Sequence, residues 1–267
     1  MDDKTLKARP YVLHEANLAQ IRALQPNVAV LPWGATEAHN YHLPHGTDVV
    51  EGTAIGEVAI QRANEQGARC LLLPCVPFGN DNVQLPQAAT ITMRSSTQQA
   101  VLFDVADSLV RQGIDRLVIL NAHGGNEFRS MIRDVVLDLP IFIVQVHAYA
   151  VAPEIDKIVT ESKGDHANEM ETSLMLHLTP HWVAPLETAG DGAATPSTMP
   201  AVSGTPGVWV PRNWLALTKD TGVGDPRAGT ADKGRQIFEK IVDAIVPVLT
   251  QLSAAKRGDF PFVIHEW

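Results

Sequence analysis

Short, wholly apolar runs alternate with segments of helical period along this chain. Residues 27–31 (N-V-A-V-L) read as a buried strand ending at Pro32. Residues 53–63 follow as a helix with Ala54, Ile55, Val58 and Ala59 on one face, and Gly67 suits its stop. Residues 69–73 read as a second short strand, and 77–92 as a long polar loop. Residues 96–111 form an amphipathic helix with Val101, Leu102, Val105, Ala106 and Leu109 on its apolar side and Gly113 after its end. A strand at 115–120, a helix at 126–137, a strand at 140–146 and a helix at 169–178 come next. Residues 190–210, rich in Gly, Pro, Ser and Thr, lack helical period, and a long helix over 229–251 closes the pattern.

Strands that are apolar throughout and alternate with helices predict an α/β fold with a mainly parallel sheet covered on both faces. Such folds bind ligands beyond the carboxyl ends of their strands. With no repeat and no linker, residues 1–267 are expected to form a single domain.

Composition narrows the function classes. The 267 residues are 45% hydrophobic and 19% charged, which suits a soluble globular protein. Net charge is -9 and no Lys/Arg block occurs, so a nucleic-acid partner is not expected. No apolar run approaches a membrane span, and the start M-D-D-K lacks the charge-then-apolar order of a secretion signal, so the expected location is cytoplasmic. Cys70 and Cys75 read as core thiols rather than a bridge.

The chemistry is concentrated in three polar knots. Residues 36–48 read T-E-A-H-N-Y-H-L-P-H-G-T-D, with Glu37, His39, His42, His45 and Asp48 directly after the first strand. N-A-H-G-G-N-E (121–127) follows a later strand, and D-H-A-N-E-M-E-T (165–172) leads into a helix. Imidazoles and carboxylates together suit Zn, Mn or Fe. Two ions a few ångströms apart can hold a hydroxide and polarise the group it attacks.

Asp48 is the natural bridge between two such ions. Glu37 and His123 are expected to complete one sphere, and His39 and Glu171 the other. His166 is the candidate proton shuttle, with Asp165 either orienting it or capping a turn. Asn126 and the backbone at Gly124-Gly125 are candidates for positioning substrate. His42 is a candidate for fixing a ligand or touching substrate, and His45 for shaping a turn. Glu127 and Glu169 are weaker acid–base candidates. His147, His177 and His181 read as structural. Trp182, Trp209 and Trp214 fit a pocket wall, core or subunit contact equally, and residues 208–225 fit a site cover. No phosphate-binding G-x-x-x-x-G-K-S/T and no G-x-S-x-G elbow occurs.

The segments L-P-W-G-A-T-E-A-H-N-Y-H-L-P-H-G-T-D, N-A-H-G-G-N, H-A-N-E-M-E-T and G-D-P-R-A-G-T-A-D-K-G, in this order over roughly residues 25–240, resemble the creatininase (creatinine amidohydrolase) family. The resemblance implies a three-layer α/β/α sandwich, two divalent ions per subunit and a homo-oligomer, often a hexamer. It matches Glu37, His39, Asp48 and His123 to metal ligands, His166 to the histidine of proton transfer, and Glu171 to the acidic residue beside the metals. Creatininase proper carries a glutamate ligand two residues after the N-G-H histidine. Here that position is Gly125, and Glu171 would supply the carboxylate, as in the H-G-G-N branch. Ala38, Asn40 and Asn168 also depart from the usual pattern.

The expected activity is metal-dependent cleavage of a non-peptide C–N bond in a small amide, cyclic amide or formamide. The alternatives are a metal-dependent peptidase, an isomerase acting through a polarised carbonyl, or a noncatalytic metal- or ligand-binding protein. A groove that takes an extended chain would favour the peptidase; a closed small pocket would oppose it.

Overall fold

The computed structural model describes residues 8–160 and 164–260; the M-D-D-K start lies outside them. Four strands, β1 (Val28–Trp33), β2 (Cys70–Leu72), β3 (Arg116–Asn121) and β4 (Phe142–His147), form one parallel sheet in the order β2-β1-β3-β4. The helices are α1 (Leu18–Leu24), α2 (Thr47–Glu65), α3 (Ser95–Arg111), α4 (Phe128–Asp138), α5 (Glu169–Leu178), the short α6 (Pro200–Gly204) and α7 (Trp214–Leu217), and α8 (Ala231–Ala254).

Successive strand residues point to opposite faces, and the two faces feed two separate apolar layers. Val28, Val30, Leu72, Val118 and Leu120 pack with Ile55, Ala59, Leu174, Ile237 and Ile241 of α2, α5 and α8. Ala29, Leu31, Trp33, Leu71, Leu117 and Ile119 pack with Leu102, Ala106, Phe128, Met131 and Val135 of α3 and α4. The result is the three-layer α/β/α sandwich. Each fully buried Leu, Ile or Phe contributes about 1.5–3 kcal/mol through removal from water. α5 and α8 cross very closely: a Cβ on Gly234 would fall 1.8 Å from the Ser173 carbonyl oxygen.

Several boundaries differ from the sequence expectations. β1 continues through Pro32 to Trp33 instead of stopping. The Trp33 carbonyl accepts from Ala122 on the β3 side, whereas the Pro32 carbonyl accepts from Val76 on the other side. The missing Pro32 N–H therefore faces the flank where β2 has already ended, so no ladder bond is lost. α2 starts at Thr47 rather than 53, because Gly46 caps it and a carboxylate in a first turn is stabilised by the helix dipole. Asp48 thus sits on a helix, not in the loop. α4 starts at Phe128, leaving Asn126 before the helix. α1 and α6 were not legible as helices.

Candidate metal centre

The carboxyl ends of the strands deliver the polar knots to one place. The loop leaving β1 carries Glu37 and His39, and the first turn of α2 carries Asp48. His123 lies just past β3, and His166 and Glu171 lie at the start of α5. All six are buried, none more than 7% exposed. This placement agrees with the ligand position expected of a parallel sheet.

Asp48 turns its two oxygens in different directions. Oδ1 lies 3.0 Å from His39 Nε2, and Oδ2 lies 3.0 Å from His123 Nδ1. His123 Nδ1 also lies 2.9 Å from Glu37 Oε1. The other imidazole nitrogens are engaged elsewhere. His39 Nδ1 donates to the Glu37 carbonyl at 3.1 Å, and His123 Nε2 faces Asp81 Oδ1 at 2.9 Å. In the neutral tautomers these contacts select, His39 Nε2 and His123 Nδ1 present lone pairs to carboxylate oxygens. Acceptor facing acceptor at such distances requires a cation or an added proton between them. Glu37, Asp48 and His123 each place a donor atom within 4.8 Å of the others, and so do His39, Asp48 and Glu171. Donors of this kind fit divalent Zn, Mn or Fe.

Protonation behaviour reflects the same crowding. Burial pulls the His39 pKa down, but the charge and hydrogen bond of Asp48 outweigh it and raise the group to about 10. Burial likewise opposes a charged His123, yet Glu37, Asp48 and Asp81 carry it well above its ordinary value. Burial pushes Glu171 up to about 7 against the pull of His39, and burial also raises Glu37. For Asp48, burial is overcome by His39 and His123, which hold it below the usual carboxylate range. Burial and the neighbouring His39 lower His166 to about 3.

His166 is therefore a neutral imidazole. Its Nε2 lies 2.8 Å from the Ala38 carbonyl, which fixes the proton there and leaves Nδ1 as the free base, 3.7 Å from Glu37 Oε1. The ring is held between His39 and Trp214, with centroids 4.2 and 4.9 Å away. Asp165 does not orient it; that carboxylate pairs with Arg212 at 2.6 and 2.9 Å.

Other sequence candidates lie elsewhere. Asn126 is fully buried and spent on structure: Oδ1 accepts from Asn80 N and Gln98 Nε2, and Nδ2 donates to Asn121 Oδ1. His42 is buried, with Nε2 2.8 Å from Thr172 Oγ1. Neither lines the cavity above the cluster, so the expected substrate contacts of His42 and Asn126 are not what their positions provide. Glu169 faces away, ion-paired with Lys233 at 2.6 Å, whereas Glu127 lines the cavity. His45 ties its loop to the Ala88 carbonyl at 2.8 Å, His147 is held by Asn121 and Gln145, and Cys70 and Cys75 are free thiols.

Three residues that sequence reading missed belong to the cluster. Asp81 fixes His123 through Nε2. Gln84 donates to Glu37 Oε2, and Glu51 is a buried carboxyl raised well above its ordinary value by burial and by Glu171 and Asp48. Asp81 and Gln84 come from the loop expected to be plain and polar; the only signal was a carboxylate and an amide in F-G-N-D-N-V-Q. The same loop explains Gly125. A Cβ there would fall 2.5 Å from both the Asn80 carbonyl oxygen and His123 Nε2, so no glutamate fits that position.

The cluster opens on a cavity of about 1180 Å³ lined by Glu37, Asp48, His123, Tyr149, His166 and Glu171 at its floor. Its outer wall is the segment from Val208 to Trp214, with Trp209 82% exposed at the rim and Trp214 buried beside His166.

Carboxylates and imidazoles gathered at the ends of parallel strands, inside an α/β/α sandwich, define the class: an α/β protein with a metal-type site at its strand ends. The sequence model of creatininase, described as creatinine amidohydrolase, matches residues 14–249. The chain belongs to the creatininase family. It is 29% identical over 248 residues to the mycofactocin precursor peptide peptidase of Mycobacterium ulcerans (strain Agy99), covering 90% of this chain and 91% of that protein. The solved structure of a candidate creatinine amidohydrolase from Bacteroides fragilis superposes with a TM-score of 0.86 at 37% identity, over 94% of this chain and 99% of that one. A solved creatininase superposes at 0.78 with 22% identity, over 92% and 99%, and speaks for the fold alone.

Proposed function

We propose that this creatininase-family hydrolase cleaves an amide C–N bond in a peptide-type substrate, using two divalent ions. The observation that carries the metal reading is the split orientation of Asp48, one oxygen 3.0 Å from His39 and the other 3.0 Å from His123. Glu37, Asp48 and His123 would hold one ion, and His39, Asp48 and Glu171 the other, with Zn, Mn and Fe all suited to the donors. Bound there, the ions would polarise the amide carbonyl and make water nucleophilic at neutral pH.

The protein's own groups do the rest. Asp81 orients His123 and Gln84 orients Glu37, so each donor atom is aimed before substrate arrives. Glu37, His39 and His166 also lie within reach of one another, but that set lacks Asp48 and cannot share its bridge. This leaves His166 for proton transfer. Its Nδ1 is placed to relay a proton between the attacking water and the departing nitrogen, while Ala38 holds the ring by its other nitrogen; burial and His39 make it a weak base, so it passes the proton on rather than keeping it. Trp214 covers the ring and limits access of bulk water.

The volume of the cavity favours a peptide. Small-molecule pockets span about 300–1,000 Å³, and this one, at about 1180 Å³, is open with an exposed apolar rim. The Mycobacterium relative named as a peptide peptidase points the same way. Hydrolysis of a small amide, cyclic amide or formamide is the second reading, favoured by the family description as creatinine amidohydrolase. A cytoplasmic homo-oligomer is part of the proposal, and among the described residues no helix is long and apolar enough to cross a membrane.

The test is turnover by Zn- or Mn-loaded protein on short peptides, creatinine and formamides, followed by mass spectrometry. Peptide cleavage that is lost in His166→Ala while metal content stays the same is the expected outcome. Turnover of creatinine or a formamide without any peptide would move the second reading to first place. Bound metal with no turnover of any substrate would leave a binding role.

A further inference from the structure

The segment T-G-V-G after α7 (221–224) reaches back to the site, and nothing in the chemistry above uses it. Two of its residues close on His166. The main chains of His166 and Val223 pair antiparallel: His166 N–H donates to the Val223 carbonyl at 3.3 Å, and Val223 N–H to the His166 carbonyl at 2.8 Å.

Thr221 meets the side chain's anchor. It is buried, and its hydroxyl stands between two groups of the loop after β1. The oxygen accepts the Asn40 N–H at 2.8 Å, and the proton goes to the Ala38 carbonyl at 3.2 Å. The same carbonyl accepts the His166 Nε2–H at 2.8 Å. A carbonyl oxygen has two lone pairs; here one takes the imidazole and the other the hydroxyl. Ala38 stands between Glu37 and His39, so the carbonyl that Thr221 holds belongs to the run carrying two of the candidate metal ligands.

The backbone at Thr221 is strained. Its φ is 65°, in the left-handed region, where a β-branched residue is an outlier and glycine the ordinary choice. Among the described residues, five that are not glycine have positive φ, and three of them gather at this junction: Thr221, Asn40 directly after His39, and Ala167 directly after His166. Strain of this kind persists only where the surroundings over-determine it. Asp220 supplies that brace: Oδ1 accepts from Thr218 Oγ1 at 2.7 Å and from Gly222 N at 2.9 Å, and Oδ2 from Gly192 N at 3.0 Å. Backbone shape alone calls for glycine, and what glycine lacks is the hydroxyl.

We propose that Thr221 is a positioning residue for His166. Its hydroxyl fixes the Ala38 carbonyl, the carbonyl holds Nε2–H, and Nδ1 is thereby kept free on the side of the carboxylate cluster. Thr221 touches no reacting atom and acts only through Ala38. The assignment rests on the reading of His166 as the proton relay.

The experiment compares two variants that both remove the β-branch. Thr221→Ser keeps the hydroxyl, and Thr221→Gly removes it while relieving the φ. In Zn²⁺-loaded full-length protein with ¹⁵N-labelled histidine, the His166 imidazole N–H signal is assigned by its loss in His166→Ala. The signal should persist in the wild type and in Thr221→Ser and be lost to water exchange in Thr221→Gly. On the short peptides tested above, Thr221→Gly should lose about 10–100-fold in kcat with KM and metal content unchanged, and Thr221→Ser should stay close to the wild type. The thermal midpoint of Thr221→Gly should not fall in step, because relief of the φ offsets the lost hydroxyl contacts. Thr221→Ala serves if Thr221→Gly does not fold. A wild-type signal and kcat in the variant without the hydroxyl, or a Thr221→Ser protein as impaired as it, would overturn the assignment. A fall in kcat that comes with lost metal and a lower midpoint would make Thr221 a brace of the fold and overturn it too. Unchanged kcat in His166→Ala would instead overturn the relay reading, and the exchange measurement stands without it.

Discussion

Phe128 and Glu37 are hidden from water to almost the same degree, and opposite physics keeps each in place. Phe128 is fully buried against Trp33, ring centroids 4.9 Å apart, and the Trp33 indole N–H is satisfied by the Phe78 carbonyl at 3.0 Å. Every neighbour there lowers the free energy of the folded state. Glu37 is 2% exposed, and its surroundings raise its pKa through burial. Around it, His39 Nε2, Asp48 Oδ2, Glu51 Oε1 and both oxygens of Asp81 lack ordinary hydrogen-bond partners. The two ion contacts of the Asp81 and His39 atoms remain, but they need charge to be worth anything. The apolar layers hold the sandwich together, and the strand ends spend part of that stability on a prearranged set of donors.

The contrast can be broken hardest at the apolar layer. Phe128→Ala should cost about 3–5 kcal/mol of folding stability by lost burial and a cavity. The loss, measured by urea denaturation, should be equal with and without metal. A loss that shrinks on adding metal would mean the two regions are not independent.

Next in size is the site itself. Zn²⁺ or Mn²⁺ at about 100 times its dissociation constant should stabilise the wild type by about 2.7 kcal/mol. Asp48→Asn should abolish that gain and also lower the metal-free stability at neutral pH, because His39 and His123 favour the ionised carboxylate in the folded state. A variant that still gains the full stabilisation from metal would show that Asp48 is not a ligand.

The smallest effect sharpens the comparison within the site. Asp81→Asn removes the charge that orients His123 and should weaken metal binding about 10–100-fold with little change in thermal midpoint. Unchanged affinity in a calorimetric titration would reduce Asp81 to a loop brace.

Legibility in the sequence follows the range of the interaction. The strands and the helices α3, α5 and α8 could be read because burial imprints a period on adjacent residues. Glu37, His39, Asp48, His123, His166 and Glu171 could be named because each stands in a dense polar knot after an apolar run, and the structure brings all six together. Asp81 and Gln84 could not be named, since each is a lone polar residue in a polar loop. Glu51 could not be named either: one carboxylate on a helix reads as a solvated face until the packing of α2 is known. Asn126 erred in the other direction. Its place beside Gly124-Gly125 suggested substrate, but Asn80, Gln98 and Asn121 engage both ends of its amide away from the cavity.

By itself, then, the chain determined which elements form, that they stack as helices on a parallel sheet, and which side chains have the chemistry to hold divalent ions. Those properties are written in neighbouring residues and in side-chain type. Only the tertiary structure decided that Asp48 divides its oxygens between two histidines, that the Asn80 carbonyl and the His123 ring close the space to a side chain at Gly125, and that a cavity of about 1180 Å³ opens above the cluster. Those depend on distances between segments far apart in the chain, and the order β2-β1-β3-β4 sets them by bringing the loops after β1, β2 and β3 side by side.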